Sequence, residues 1–181
     1  MRIISGIARG RRLEAPEGTE IVRPTTDKVK EAIFSSIQFD IEGRRVLDLF
    51  AGSGQLGLEA LSRGADSAVF IDKEYSSQEL IKRNIKHCGF EEKSKVYKAD
   101  FSAFLNGCSD SFDIAFLDPP YSAGLLDEAL RLVSKFITEG GLIVCEYPLE
   151  GSAPKAPEGF SEKQKKYGKT LVSVFRKEGD I

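Results

Sequence analysis

The 181-residue sequence has a single histidine, His87, and three cysteines, Cys88, Cys108 and Cys145, none of them in a CxxC spacing. One histidine leaves no imidazole cluster for a metal. An odd, widely spaced set of cysteines fits neither a disulfide framework nor a zinc site. No metal and a reducing, cytoplasmic compartment are expected. No run of 18 apolar residues occurs, so no membrane-spanning helix is expected. The opening MRIISGIARGRR has neither a long apolar stretch nor a small-residue cleavage site, and does not read as a secretory leader. Excess charge is lacking as well. Against 26 Lys and Arg stand 28 Asp and Glu, a net charge of −2. A nucleic-acid partner must therefore be argued from local patches, not from the chain as a whole.

What is present is a chain 41% hydrophobic and 30% charged, enough for one core and a well-solvated surface. Residues 2–22 read as short strands broken at Gly6, Gly10 and Gly18. RIISGIA and RRLEA would pair as a basic hairpin around Gly10. Arg2, Arg9, Arg11 and Arg12 all precede the first acid, Glu14. RPTTDKVKEAIFSSI (23–37) reads as a helix capped by Thr25 or Thr26, with Val29, Ala32, Ile33 and Ile37 on one face. From residue 45 onward apolar strands alternate with helices: RVLDLF, SAVFID, KVYKAD, FDIAFLDPPY and LIVCEY. A closing hairpin, FSEKQKKYG and TLVSVFR, turns at Gly168-Lys169. Near-continuous apolar strands separated by helices imply a parallel sheet covered on both faces. In such sheets ligands sit beyond the carboxyl ends of the strands. Aspartates close the first four strands, at Asp48, Asp72, Asp100 and Asp118.

Asp48 opens the run DLFAGSGQLG, in which Gly52, Gly54 and Gly57 form GxGxxG between a strand and a helix. Glycines there let a ligand approach the backbone, and the helix start offers unpaired N–H groups. Asp72, 18 residues beyond Gly54, can accept both hydroxyls of an adenosine ribose. A dinucleotide and S-adenosylmethionine both fit that description, as does a tight turn with glycines for packing. Asp48 favours S-adenosylmethionine, because a carboxylate can reach its ammonium group, whereas a pyrophosphate would be repelled. Asp100-Phe101 offers an acceptor and an aromatic face for adenine. Asp100 equally suits the cap of a helix beginning at Ser102.

Asp118-Pro119-Pro120-Tyr121 ends the fourth strand. Two prolines hold an extended backbone without N–H donors, leaving carbonyls as acceptors. The exocyclic amine of a base is a poor nucleophile, since its lone pair is delocalised into the ring. Hydrogen bonds from its N–H groups to the Asp118 side chain and the Pro119 carbonyl would localise that pair, and Tyr121 could stack on the base. The competing reading is an ordinary turn. Cys145, inside an apolar strand, reads as core and not as a nucleophile.

DLFAGSGQLGLEALSRGA, FLDPPY and above all RPTTDKVKEAIF resemble the bacterial 16S ribosomal RNA guanine-N2 methyltransferases that modify guanine 966, over nearly the whole chain. The resemblance implies an α/β, Rossmann-like class I S-adenosylmethionine-dependent methyltransferase fold, with a seven-stranded, mostly parallel sheet whose last strand is antiparallel. It implies a methyltransferase domain over 23–181 and a basic N-terminal extension over 1–22. By position it places Asp48, Gly52 and Gly54 at the methionine end of the cofactor, Asp72 at the ribose, and Asp100 with Phe101 at the adenine. Asp118, Pro119 and Tyr121 would hold the base, with Thr25 and Thr26 near the cofactor or the base. Arg2, Arg9, Arg11 and Arg12 are the expected RNA-phosphate contacts. The implied partner is 16S rRNA or the assembled or partly assembled small ribosomal subunit, met by a monomer. An adenine-N6 methyltransferase on RNA or DNA, a dinucleotide oxidoreductase and a binding-only ribosome-assembly module are the competing functions.

Overall fold

A computed structural model describes residues 1–17, 26–120 and 124–179. Helix α1 (Asp27–Ser36) precedes the alternating part of the chain. Then follow β1 (Arg45–Asp48), α2 (Gln55–Ser62), β2 (Ser67–Asp72), α3 (Tyr75–Cys88), β3 (Ser94–Lys98), α4 (Phe101–Asn106), β4 (Phe112–Leu117) and α5 (Leu125–Val133). The chain closes with β5 (Ile137–Pro148), β6 (Phe160–Tyr167) and β7 (Thr170–Lys177). The seven strands form one sheet in the order β3-β2-β1-β4-β5-β7-β6. Strands β1 to β5 pair in parallel, and β7 runs antiparallel to both β5 and β6. This is the class I methyltransferase sheet that the resemblance implied, with the last strand in the chain reversed.

Alternation along the central strands sends successive side chains to opposite faces. Val46, Phe70, Ile114, Phe116, Leu142 and Val144 join one core layer with α1, α2 and α3. Leu47, Ile71, Ala115, Leu117, Ile143 and Cys145 join the other with α4 and α5. Both faces are covered, which is why these strands read as continuous apolar runs. The spacing of YSSQELIKRNIKHCG predicts a helix with Leu80, Ile81, Asn84, Ile85 and Cys88 inward and Gly89 as its stop; in α3 those five are buried, and Gly89 ends the helix at φ 75°. Cys145 is core, as expected.

Four readings need correction. Strand β1 stops at Asp48, not Phe50, because the backbone turns into the glycine loop there. The helix that LLDEALRLVSKFI (125–137) predicts after β4 ends at Val133, and β5 starts at Ile137 instead of Leu142. Its register against β4 shifts between Phe112 and Ile114. Helix α1 begins at Asp27, with the Thr26 hydroxyl accepting from the Val29 N–H at 3.3 Å. Thr25, the other candidate cap, lies outside the described residues, as does Gly18.

The largest correction concerns the N-terminus. The two arms do pair antiparallel, the Leu13 N–H donating to the Met1 carbonyl at 3.2 Å and the Ile3 N–H to the Arg11 carbonyl at 2.9 Å, but instead of two strands the described residues 1–17 hold a single bridge pair, Arg2 with Arg12. Gly6 and Gly10 sit at φ 83° and 84°, which interrupts any extended run. Nor does this part stand apart from the body. Ile3, Ala8 and Leu13 are buried in the same core layer as α2. Gly6 packs so closely on α2 that a Cβ there would lie 1.7 Å from the Ser62 carbonyl oxygen. Every residue of α2 is consequently buried, including Glu59 and Ser62.

Candidate active site

Strand order reverses between β1 and β4, and the site is built at that point. Leaving β1, the Leu49 N–H donates to the Phe116 carbonyl at 3.1 Å, and the Ala51 N–H to the Ile71 carbonyl at 2.9 Å. The loop is thereby pinned between the carboxyl ends of β4 and β2. Gly54, at φ 80°, caps α2 in a left-handed conformation that suits glycine. Gly57 answers a different need: a Cβ there would stand 2.4 Å from the buried Phe70 ring. Helix and strand meet at this contact, and the close approach keeps α2 aimed at the sheet edge.

Two carboxylates organise the loop. Asp48 is 2% exposed and accepts the Gly57 N–H at 3.0 Å. Burial pushes its pKa up to about 7; the Gly57 bond opposes that rise and the neighbouring Asp72 charge adds to it. Asp72 is held through both oxygens, accepting the Gly52 N–H at 2.9 Å and the Glu74 N–H at 2.9 Å. The expected partners of the methionine end and the ribose, Asp48, Gly52, Gly54 and Asp72, therefore meet in one hydrogen-bonded loop.

Asp100 lies exposed two residues past β3. It caps α4, accepting from the Ser102 hydroxyl at 2.6 Å and the Ser102 N–H at 2.9 Å. The Ser102 hydroxyl is the main reason its carboxyl lies below the usual carboxylate range. Phe101 is buried, its ring 5.2 Å from that of Phe50 in the second core layer. The ring is packed as core, and little of its area is left for a ligand.

Phe116 pairs with Asp48 across β1 and β4. Asp118, two residues further along an extended chain, thus projects roughly 7 Å beyond the level of Asp48. It is half-buried, Pro119 is buried and Pro120 is exposed. Tyr121 lies outside the described residues. The edge accordingly carries a buried carboxylate deep beside the glycine loop, with a second carboxylate and a rigid, donor-free backbone above it.

Three polar residues to which sequence reasoning gave no role at the site shape this edge. Asn84, 1% exposed, donates to the Ser53 carbonyl of the glycine loop at 2.9 Å and to the Glu14 carbonyl at 3.0 Å. Its amide oxygen accepts the Glu14 N–H at 2.8 Å. It thus ties the N-terminal segment to the loop. Lys30 and Glu59 form a fully buried ion pair at 3.6 Å. Glu59 is the anchor, accepting the Ile4 and Ser5 N–H groups at 2.8 and 3.0 Å and Arg63 Nε at 2.8 Å. Burial lowers the Lys30 pKa, with Glu59 opposing. The one available signal was a lysine and a glutamate on otherwise apolar helix faces.

The four N-terminal arginines are exposed but do not form one cluster. Arg2 pairs with Asp27 at 3.5 Å. Arg11 donates to the His87 carbonyl near the end of α3.

Comparison with known sequences and structures agrees with this geometry. Residues 1–176 match the family described as conserved hypothetical protein 95. A Bacillus subtilis (strain 168) protein, YlbH, described as a candidate rRNA methyltransferase, is 40% identical over 99% of this chain and 100% of its own. Ribosomal RNA small subunit methyltransferase D of Escherichia coli (strain K12) is 35% identical over 98% of this chain and 90% of its own. A solved Escherichia coli structure described as a candidate methyltransferase, yhhF, superposes with a TM-score of 0.89 at 31% identity, covering 99% of both chains.

Proposed function

The chain belongs to the conserved hypothetical protein 95 family and is related over its length to small-subunit rRNA methyltransferases, and from that premise we propose that it methylates the exocyclic N2 amine of a guanine in 16S rRNA, of the guanine-966 type. S-adenosylmethionine supplies the methyl group, already activated on a sulfonium. The residues present suit that donor. Asp48 faces the loop as a buried acceptor for an ammonium group, and Asp72 stands at the next strand end as an acceptor for ribose hydroxyls. Asp118 and the Pro119 carbonyl accept the two N–H bonds of the amine, which localises its lone pair and orients it in line with the methyl carbon. As the N–C bond forms and the C–S bond breaks, positive charge grows on nitrogen. The Asp118 carboxylate stabilises that charge until the surplus proton leaves to water. Positioning supplies most of the acceleration, and no metal or strong base is required. Tyr121, outside the described residues, keeps the role that the resemblance implies for it, stacking on the base. The enzyme would act in the cytoplasm, on the RNA or on an assembling small subunit.

The observation that carries this reading is the vertical spacing of the two carboxylates: Asp48 beside the glycine loop and Asp118 two residues above it on the adjacent strand. The test uses methyl-labelled S-adenosylmethionine with small subunits lacking the modification, beside naked 16S rRNA, followed by digestion to nucleosides. Label in N2-methylguanosine is expected. Label in N6-methyladenosine instead would replace guanine by adenine as the target and overturn the assignment.

The Asp48 carboxyl also predicts a pH profile. In the free protein its pKa stands at about 7, above the ordinary 3.8. The folded state therefore holds that proton more tightly than the unfolded chain. Stability from this group is complete below about pH 4 and is lost as pH rises toward 7. Binding an ammonium favours the opposite, ionised form. Cofactor affinity measured by titration calorimetry should therefore rise from pH 5.5 to about 7, by up to ~10-fold per unit. It should fall again above about pH 8 as the cofactor's own amine loses its charge. Asp48→Asn should abolish the rising limb and weaken binding. A flat profile between pH 5.5 and 7 in the wild type would remove Asp48 from the ammonium site.

A further inference from the structure

Helices α2 and α3 both start at the carboxyl edge of the sheet and end at the opposite edge, and the N-terminal segment follows them down and back. Met1 Sδ lies 3.1 Å from the Ser53 hydroxyl in the glycine loop. Ile4 and Ser5 meet Glu59 one turn and more along α2, and the Ile7 N–H donates to the Ser62 carbonyl at its end, 2.8 Å away. Arg11 reaches the end of α3 at His87, and Glu14 returns to Asn84 beside the loop. From Ser53 to Ser62 the helix descends roughly 13 Å. The four arginines are thus divided by the fold. Arg9 follows the Ile7 contact with Ser62 at the tip, and Arg11 is held at the His87 carbonyl, one turn of α3 beyond Asn84. Arg2 and Arg12, paired across the backbone bridge, sit at the catalytic edge.

These two line a pocket of about 340 Å³ with Met1, Leu13 and Asp27, between the N-terminal segment and the start of α1. The Arg12 guanidinium makes no ion pair among the described residues. That of Arg2 is 3.5 Å from Asp27, with side chains 65% and 42% exposed. An ion pair so open to water is easily exchanged for a stronger anion. Two guanidinium groups converging on a concave site suit bidentate contact with phosphate oxygens.

We propose that this pocket is a phosphate subsite for the RNA strand: Arg2 and Arg12 grip a backbone phosphate beside the nucleotide inserted at Asp118, displacing Asp27 from Arg2. The assignment rests on the RNA-methylation reading above. Arg9 and Arg11 take no part. The carboxylate of the cofactor is the other anion that comes near the glycine loop, and the test separates the two.

Three variants decide it: Arg2→Ala with Arg12→Ala, Arg9→Ala with Arg11→Ala, and Asp27→Asn. Each is compared with wild type for binding of a 16S rRNA fragment containing the target by fluorescence anisotropy across salt, and for cofactor binding by calorimetry. The Arg2/Arg12 variant should bind RNA at least tenfold more weakly, with the salt slope reduced by about 1, and bind cofactor within twofold of wild type. The Arg9/Arg11 variant should stay within twofold for both. Asp27→Asn frees Arg2 and should tighten RNA binding two- to fivefold, an effect misfolding cannot produce. Equal losses in the two arginine variants would overturn the proposal, as would unchanged RNA affinity in the Arg2/Arg12 variant, or a loss of cofactor affinity in its place. Wild-type protein that binds the fragment with this arginine dependence but leaves no label in guanine would retain the subsite and refute the guanine reading.

Discussion

Replacing Asp118 by alanine is expected to lower methyl transfer by on the order of 10²–10³-fold, the usual cost of losing one preorganised polar contact to developing charge. Cofactor affinity should stay within about threefold, because Asp118 projects roughly 7 Å beyond Asp48 and the glycine loop along the strand direction. The comparison with Asp118→Asn is informative. Asparagine retains an oxygen acceptor for the amine N–H but not the negative charge that balances positive charge on nitrogen. If the electrostatic role dominates, asparagine should be nearly as impaired as alanine. If orientation dominates, it should recover most of the rate. Single-turnover kinetics with saturating cofactor and RNA isolates the methyl-transfer step. A loss below about tenfold in the alanine variant would remove Asp118 from the reacting centre.

Glu59→Ala is expected to have the largest effect on stability. Glu59 is fully buried and holds four donors: Lys30 Nζ, Arg63 Nε and the N–H groups of Ile4 and Ser5. Removing it leaves the Lys30 ammonium uncompensated in the core, at a cost of about 3–5 kcal/mol. That is a large part of the roughly 5–15 kcal/mol by which a domain is folded. At roughly 2–4 °C per kcal/mol for a chain of this size, Tm should fall by about 6–20 °C, read by circular dichroism. The N-terminal segment should loosen before the sheet does, and amide exchange at Ile4 and Ser5 should report it. A Lys30→Met/Glu59→Gln double variant should recover part of the loss, since the fully buried ammonium is gone and the glutamine oxygen can still accept one N–H, while Arg63, 14% exposed, loses its carboxylate in both variants. A double variant as unstable as the single would show that the lost backbone contacts, and not the stranded lysine, carry the cost.

The alternating strands and helices, the glycine loop and the aspartates at the strand ends were all legible because each is a local property. A strand covered on both faces must be apolar at every position, as FDIAFL is. A turn from strand to helix needs residues tolerant of positive φ, as at Gly54. A carboxylate at a strand end is placed at the sheet edge by the strand itself, so Asp48, Asp72 and Asp118 could be assigned to one edge before any contact was known. Asp100 was readable in both of its roles, and its capping of α4 is observed. Phe101 was not, because the direction of its ring depends on Phe50, which lies on another loop.

The N-terminal segment could not be read from its own residues. MRIISGIARGRRL has the basic, glycine-broken pattern of an exposed hairpin, and the three residues that bury it, Ile3, Ala8 and Leu13, have neither strand nor helix periodicity. Its path is set by partners more than 50 residues away, Glu59 and Ser62 on α2 and Asn84 on α3. Sequence by itself determined the class of fold, the edge at which chemistry occurs and the carboxylates available there, since these follow from the backbone preferences and polarity of neighbouring residues. Only the tertiary structure decided that Asp48 is buried with its pKa at about 7, that Lys30 is held in the core by Glu59, and that of four similar arginines two, Arg2 and Arg12, pair across a backbone bridge and line one pocket with Asp27. Burial and long-range pairing depend on which surfaces meet, and that is fixed by packing across the whole chain.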